Sequence, residues 1–516
     1  MAQGVLPFQY KEQGRVSGLT ALAGLPAYLD LAQAAGLGAA IRRHLQVRSE
    51  GCQGWSDHQI VMPLVLLNLA GGDCVADIER LEADEGLCQV MRAVEHHHLP
   101  RRQRREQERR FRKQRLRTFP SASPVFRYLA AFHDSKQEAR RPGGTAFIPQ
   151  PNEHLQALGR VNRDFVAFVQ SRSPQRQATL DMDATLVGSH KERALWCYQQ
   201  YKAYQPFNTY WFEQDLVLHS EFRDGNVPAG HQQLRLLQQA LEQLPAGVET
   251  VCVRSDTAGY QKELLRYCAE GHSERFGVIE FAIGADLTES FRQAVLEVEE
   301  DQWLPVLRTE GDGRQRPTEQ QWAEVCFVPS WAGHSKNGPG YRFVATREAL
   351  RQQLALPGHE ETQADPESIE TAAGARYKIR GIVTNRTLDG NELIAWYRER
   401  CGRSEEVHSV MKEDLAGGRM PSGDFGENAA WWAIMILALN LNAAMKRLVL
   451  PQGWARRRLK ALRFGLINVA GEVRQRSRQL HILLSPRQPA LALLQQVRER
   501  IAQLARGAPV GVTTAG

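Results

Sequence analysis

The chain has 516 residues, 42% of them hydrophobic and 24% charged, with a formal net charge of +7; that length accommodates roughly three or four packed units around at least one large core. Its longest apolar run, Ala429 to Leu439, falls short of the roughly 20 residues a bilayer span needs, which argues against a membrane protein and predicts a buried helix. Eight cysteines lie scattered with no C-x-x-C spacing, which argues against a zinc site or a disulfide framework and for free, mostly buried thiols.

The opening M-A-Q-G-V-L-P-F-Q-Y lacks the basic start and apolar core of an export signal, so a cytoplasmic location is expected. From Leu19 to about Leu99 apolar residues recur at helical spacing, broken by Gly71-Gly72. Consecutive His96, His97 and His98 cannot all aim at one ion from a helix and carry no metal reading. Arg101 to Arg117 then holds ten Arg or Lys against Glu106 and Glu108, the electrostatic footprint of a polyanion. Region 1–150 is read as a helical, basic DNA-binding region, with Arg101, Arg105, Arg112 and Lys113 among its phosphate contacts.

Ala178 to Val187, A-T-L-D-M-D-A-T-L-V, alternates Leu180, Met182 and Ala184 with Thr179, Asp181, Asp183 and Thr185. This is a period-2 strand with one apolar face and two carboxylates on the other. Two carboxylates on one face need something positive there, and a hard divalent cation is one answer. Two further strands complete a meander, a helix is expected over about Gln232 to Leu244, and E-T-V-C-V-R-S-D-T-A-G-Y runs a strand into Asp256. An Asp at a strand's carboxyl end, close to a helix start, is where α/β folds put their chemistry. Residues 170–285 form the first part of this core.

Short strands from W-L-P-V-L to Y-K-I-R-G-I-V predict a β-rich insertion over 286–385, containing Trp322 and Trp331. Each tryptophan is either a core aromatic of a small sheet or, in the family that the motifs below resemble, a platform for an unstacked base. Helical spacing returns over 386–450. There Val407, Val410, Met411 and Leu415 share a face, Glu405 points away from it, and Lys412 returns to within about 20° of Glu405 with His408 between. Residues 451–516 add two basic clusters, Arg456 to Arg463 and Arg474 to Arg478.

Taken in order, L-D-M-D-A-T, V-R-S-D-T-A-G-Y and Y-R-E-R-C-G-R-S-E-E-V-H-S-V-M-K, divided by a β-rich insertion, resemble the group-1 DDE transposases of bacterial insertion sequences. The resemblance covers about Thr179 to Leu441. It implies an α/β, ribonuclease-H-like catalytic core with helical N-terminal and C-terminal regions, in which Asp183, Asp256 and Glu405 are catalytic and hold two Mg²⁺ ions, with Mn²⁺ able to substitute. Asp181 is a further metal ligand candidate, and Glu406 the substitute for Glu405. The family's helix signature is matched by Tyr397, Arg400 and Lys412, implied to grip phosphates near the DNA end. Four residues rather than three separate Arg400 from Glu405, so either Gly402 interrupts the helix or another residue fills one role.

The implied reaction is in-line phosphodiester displacement by water and then by a DNA 3′-hydroxyl. The implied partners are terminal inverted repeats and target DNA, bound by a homo-oligomer. Two alternatives use the same residues: a structure-selective nuclease without strand joining, and a DNA-binding repressor that needs only the basic segments.

Overall fold

In the computed structural model, which describes residues 17–48, 54–97, 100–102, 105, 117–311, 313–332, 340–350, 367–477 and 479–507, the N-terminal region is helical as its spacing predicts. Helix α1, Asp57–Ala70, starts at a reciprocal cap: Ser56 Oγ accepts from the Gln59 amide at 3.3 Å and Gln59 Oε1 from the Ser56 amide at 3.1 Å. It ends at Gly71, whose φ of 97° lies in the left-handed region that glycine tolerates. Helix α2, Glu153–Arg172, leads into the sheet.

Strand β1, Gln177–Ala184, lies inside that sheet with a neighbour on each side. Its two faces are both covered, since Thr179 and Asp181 are as buried as Leu180 and Met182. The carboxylate-bearing face is thus enclosed at Thr179 and Asp181, and its polar groups are paired: Thr179 Oγ1 donates to Glu213 at 2.6 Å. Strands β2, Phe207–Trp211, and β3, Leu216–Glu221, complete the antiparallel meander. Between β1 and β2 the chain makes a small three-stranded sheet from Val187–Gly188, Leu195–Trp196 and Lys202–Tyr204. Helix α3, Gln233–Gln243, crosses to strand β4, Thr250–Ser255, which lies parallel to β1, and strand β5, Glu280–Ala285, lies parallel to β4. The order β3-β2-β1-β4-β5, with the first three antiparallel and the last three parallel, is the ribonuclease-H-like arrangement.

The insertion opens with a helix, Glu289–Leu296, which the β-rich expectation did not include. Strands β6, Leu304–Thr309, β7, Gln315–Val325, β8, Arg342–Ala349, β9, Ser368–Glu370, and β10, Arg376–Thr384, follow. β10 pairs with β5, so insertion and core share one ten-stranded sheet in the order β6-β7-β8-β10-β5-β4-β1-β2-β3, with β9 beside β10. Strand β9 lies within the polar stretch Pro357 to Gly374, and residues 351–366 lie outside the described residues. Trp322 is buried beneath helix α4, Gly390–Ser409, with Val306, Val344, Ile382, Leu393 and Ile394. A Cβ on Gly390 would lie 2.2 Å from that indole, so the glycine is what lets the helix start directly on the ring.

Helix α5, Phe425–Ala444, is buried on nearly every side. Phe425–Val449 is long and apolar enough to cross a bilayer, but its polar groups are tied to the rest of the chain. Asn440 Nδ2 donates to Asn162 at 2.7 Å and to Val217 O at 2.8 Å, and Asn442 Oδ1 accepts from Tyr28 at 2.9 Å. N-terminal helices, sheet and α5 share one continuous hydrophobic core. The C-terminal hairpin, Gly471–Arg476 with Gln479–Leu483, takes Leu19–Thr20 as a third strand, a pairing no local pattern announced.

Among the described cysteines Cys88, Cys197, Cys252 and Cys268 are buried, Cys326 and Cys401 are exposed, and all seven are free. Cys52 and His98 lie outside the described residues.

Candidate active site

Asp183 sits at the carboxyl end of β1 and Asp256 one residue past the end of β4, its neighbour in parallel register. Asp256 caps the short turn Thr257–Gly259, accepting from the Ala258 amide at 3.1 Å. Asp183 accepts from the Ala184 amide at 2.9 Å, and its other oxygen lies 3.5 Å from Arg400 Nη2. Burial and repulsion from Asp256 push the Asp183 carboxyl up to about 6, with Arg400 pulling the other way.

Helix α4 closes the site. Tyr397 Oη donates to Ser255 O at 3.1 Å, and a ring nitrogen of His408 lies 3.4 Å from the Asn208 amide, opposite Asp183 in the β1–β2 ladder. Lys412 Nζ, on the wide turn Val410–Asp414 that continues the helix, donates to Leu186 O at 3.4 Å. The face expected to point outward therefore lies over the sheet's carboxyl ends. Close approach is possible because residue 284 is glycine, where a Cβ would lie 2.9 Å from the Thr257 amide and 3.1 Å from Tyr397 Oη. Burial pushes the Tyr397 phenol up to about 12 and the His408 imidazole down to about 4, the latter helped by Lys412 and Arg400. Near neutral pH the first is a hydroxyl donor and the second an uncharged ring.

Gly402 does not interrupt the helix. Along an unbroken helix Glu405 stands about 140° from Arg400 and within about 60° of His408 and Lys412, whereas Glu406 turns to the far side. There Glu406 pairs with Arg403 at 2.9 Å, and Arg403 also holds Asp215. Glu405 is exposed and makes no ion pair among the described residues, so of the two it is the one free to take a ligand. Its carboxylate does not close with Asp183 and Asp256 into a group whose ligand atoms all lie within 4.8 Å. Among the described residues the group that does is Asp73, Cys74 and Asp77, a helix cap in which Asp77 Oδ2 accepts from the Asp73 and Cys74 amides and the Cys74 thiol.

Two assignments change. Asp181 is not available to metal, because Arg254 takes both its oxygens, at 2.6 and 3.0 Å, in a fully buried pair. Arg400 is buried against Asp183 and not presented to an outside phosphate. Arg254 itself was missed by sequence reasoning. It lies between the rings of Phe212 and Trp396 and donates to Trp396 O at 2.5 Å and to Glu399 at 3.2 Å, tying β1, β4 and α4 together. A signal existed: Asp181 and Arg254 each precede an active-site Asp by two residues on strands that pair in register.

Of the basic arm, Arg101 and Arg105 are exposed, while Arg112 and Lys113 lie outside the described residues. In the next basic cluster Arg458 and Lys460 are bound to Asp414, at 2.9 and 3.3 Å, leaving Arg456 and Arg457 outward. Trp322 is core, and Trp331 packs edge-on to Tyr260 and Tyr341 at 6.4 and 5.5 Å.

The strand order and the two carboxylates at neighbouring strand ends are those of a ribonuclease-H-like α/β fold. The chain matches the family described as Transposase DDE domain group 1 over residues 11–353 and 367–506, and it belongs to that family. Comparison with curated proteins gives no match. Among solved structures, it is similar to the piggyBac transposase synaptic complex with hairpin DNA determined by cryo-EM, at 10% identity and a TM-score of 0.44, over 94% of this chain and 87% of that one.

Proposed function

We propose that this transposase works in the cytoplasm, cutting the terminal inverted repeats of an insertion sequence and joining them to target DNA by metal-assisted phosphodiester displacement. The observation that most supports this is the Asp183–Asp256 pair: two carboxylates at the carboxyl ends of neighbouring parallel strands, with a single guanidinium 3.5 Å from Asp183. Such a site is short of positive charge and offers only hard oxygen donors, as Mg²⁺ or Mn²⁺ requires. Mg²⁺ takes one or two carboxylates and leaves its other positions to water and substrate phosphate, so three carboxylates that are not in mutual contact still suit it.

Asp183, Asp256 and Glu405 are the residues that would hold two such ions, which when bound supply charge on the scissile phosphate and an activated water or DNA 3′-hydroxyl. Asp183 must release its proton for this role, and Arg400 favours that release. Tyr397 fixes the backbone just before Asp256, so its role is positioning. Lys412, half-buried and about 20° from Glu405 around the helix, is the candidate contact for an incoming phosphate. An oligomer holding two ends is part of the proposal.

The test uses the purified full-length protein with DNA carrying the repeats that flank its coding region. In Mg²⁺ the expected products are nicked ends and 3′ ends joined to a second DNA. Glu405→Gln should stop both while Glu406→Gln keeps them. Cleavage without joined products would make the protein a nuclease, and DNA binding without any cleavage a repressor.

A further inference from the structure

The small sheet that follows Asp183 has an unusual outer surface. Its inward residues, Ala194, Cys197, Ala203 and Tyr204, are buried. Its outward residues at the tip are Trp196, Tyr198 and Tyr201, exposed to 61%, 71% and 38%. A half-buried hairpin ordinarily shows polar side chains to solvent, and large aromatics held in water mark a contact surface. The tip is also built to stay in place. Cys197 donates its amide to Tyr201 O at 2.9 Å, Gln200 takes a φ of 65° to close the turn, and Gly225 runs so near that a Cβ there would lie 2.5 Å from Ala203 O. Lys191 Nζ donates to Pro421 O at 3.1 Å and Lys202 Nζ to Glu192 O at 2.7 Å. Both use carbonyl partners, so neither ammonium is neutralised by a carboxylate among the described residues. From Asp183 to the first strand of this sheet is four residues, and Lys412 donates to Leu186 at its base.

We propose that Trp196, Tyr198 and Tyr201 form a platform for unpaired bases of a DNA strand entering the active site, with Lys191 and Lys202 drawing its phosphates. The pairing of exposed rings with un-neutralised cations is the chemistry of single-strand binding, in which the rings stack on bases and the cations follow the backbone. A protein partner, including a second copy of this chain, is the other occupant to be tested. The inference rests on the reading of this protein as an enzyme that handles DNA ends.

The experiment measures binding of fluorescein-labelled (dT)20 and of a 20-base-pair duplex of mixed sequence, by anisotropy at low salt and without metal. Full-length wild type is compared with Trp196→Ala/Tyr198→Ala and Trp196→Phe. Removing the two rings should weaken (dT)20 binding about tenfold or more and leave duplex binding and the melting temperature unchanged, while Trp196→Phe keeps most of the affinity. If the double variant loses both DNAs equally, or neither, the platform is wrong. If it turns an oligomer into a monomer in gel filtration with (dT)20 binding intact, the surface belongs to a second copy and the proposal falls. Should the double variant melt early, Tyr201→Ala is read the same way. Wild type that binds neither DNA would overturn the DNA-handling reading itself, whereas unaltered (dT)20 binding by the variants overturns the platform alone.

Discussion

Asp181 and Asp183 leave β1 on the same side, two residues apart, and each meets an arginine. Asp181 meets Arg254 through two short contacts in a fully buried pair, whose guanidinium is further used by Trp396 O and Glu399. Asp183 meets Arg400 through one contact at 3.5 Å, beside a second carboxylate that repels it. The first charge is held through both its oxygens and has become part of the framework; the second is held through one longer contact at the strand's carboxyl end and is left able to bind something else. Carboxylate count and spacing do not separate the two roles, but the completeness of each partner does.

The largest expected effect comes from breaking the loosely held side. Asp183→Asn should lower metal-dependent cleavage on the order of 10³-fold, since charge stabilisation by a metal contributes several kcal/mol to the transition state. DNA binding and the melting temperature should hold. Single-turnover cleavage with a parallel melt is the check, and a variant that unfolds would place Asp183 with the framework instead.

Breaking the firmly held side should do the reverse. Asp181→Ala leaves Arg254 charged and buried without its main partner, a change that costs about 3–5 kcal/mol in buried pairs. It should appear as a lower urea midpoint, and pairing it with Arg254→Met should recover part of the loss. Little change in the midpoint for Asp181→Ala would mean the pair contributes no net framework stability.

The smallest effect is one of pH. With its folded pKa raised to about 6, Asp183 holds a proton that the unfolded chain has already released. In metal-free protein its contribution to stability is therefore present below the ordinary Asp pKa and is lost as pH rises towards and through 6. Metal needs the ionised form, so Mn²⁺ affinity should rise by up to tenfold per pH unit below about 6 and level off above it. Calorimetric titration from pH 5 to 8 measures this, and Asp183→Asn should flatten the curve.

How legible all this was depended on the range of the interaction. The meander, Asp256 at its strand end and the buried α5 follow from period and composition, which are local. That Glu405 is the more exposed of the two glutamates also followed, because helical phase is local. The fate of Asp181 was hidden, because its partner Arg254 lies 73 residues on and only the register of two parallel strands brings them together. Arg400 was assigned to phosphate because nothing in its own helix reveals that it is buried on Asp183. Trp322 was undecided for a similar reason: the space that buries it is made by a glycine, Gly390, that begins another element.

The position of α5 bears on how the protein comes to exist at all. Asn68, in α1, accepts from the Ala416 amide at 2.9 Å across 348 residues of chain, and Tyr28 reaches Asn442 across 414. At about 5–20 residues per second of synthesis, the first helices emerge roughly 20 to 80 s before the segments that cover them. They must spend that interval with apolar faces bare, and so in need of a chaperone's shelter. A chain stopped just before α5 should leave those apolar faces uncovered, which makes the last fifth of the message a condition for the solubility of what precedes it.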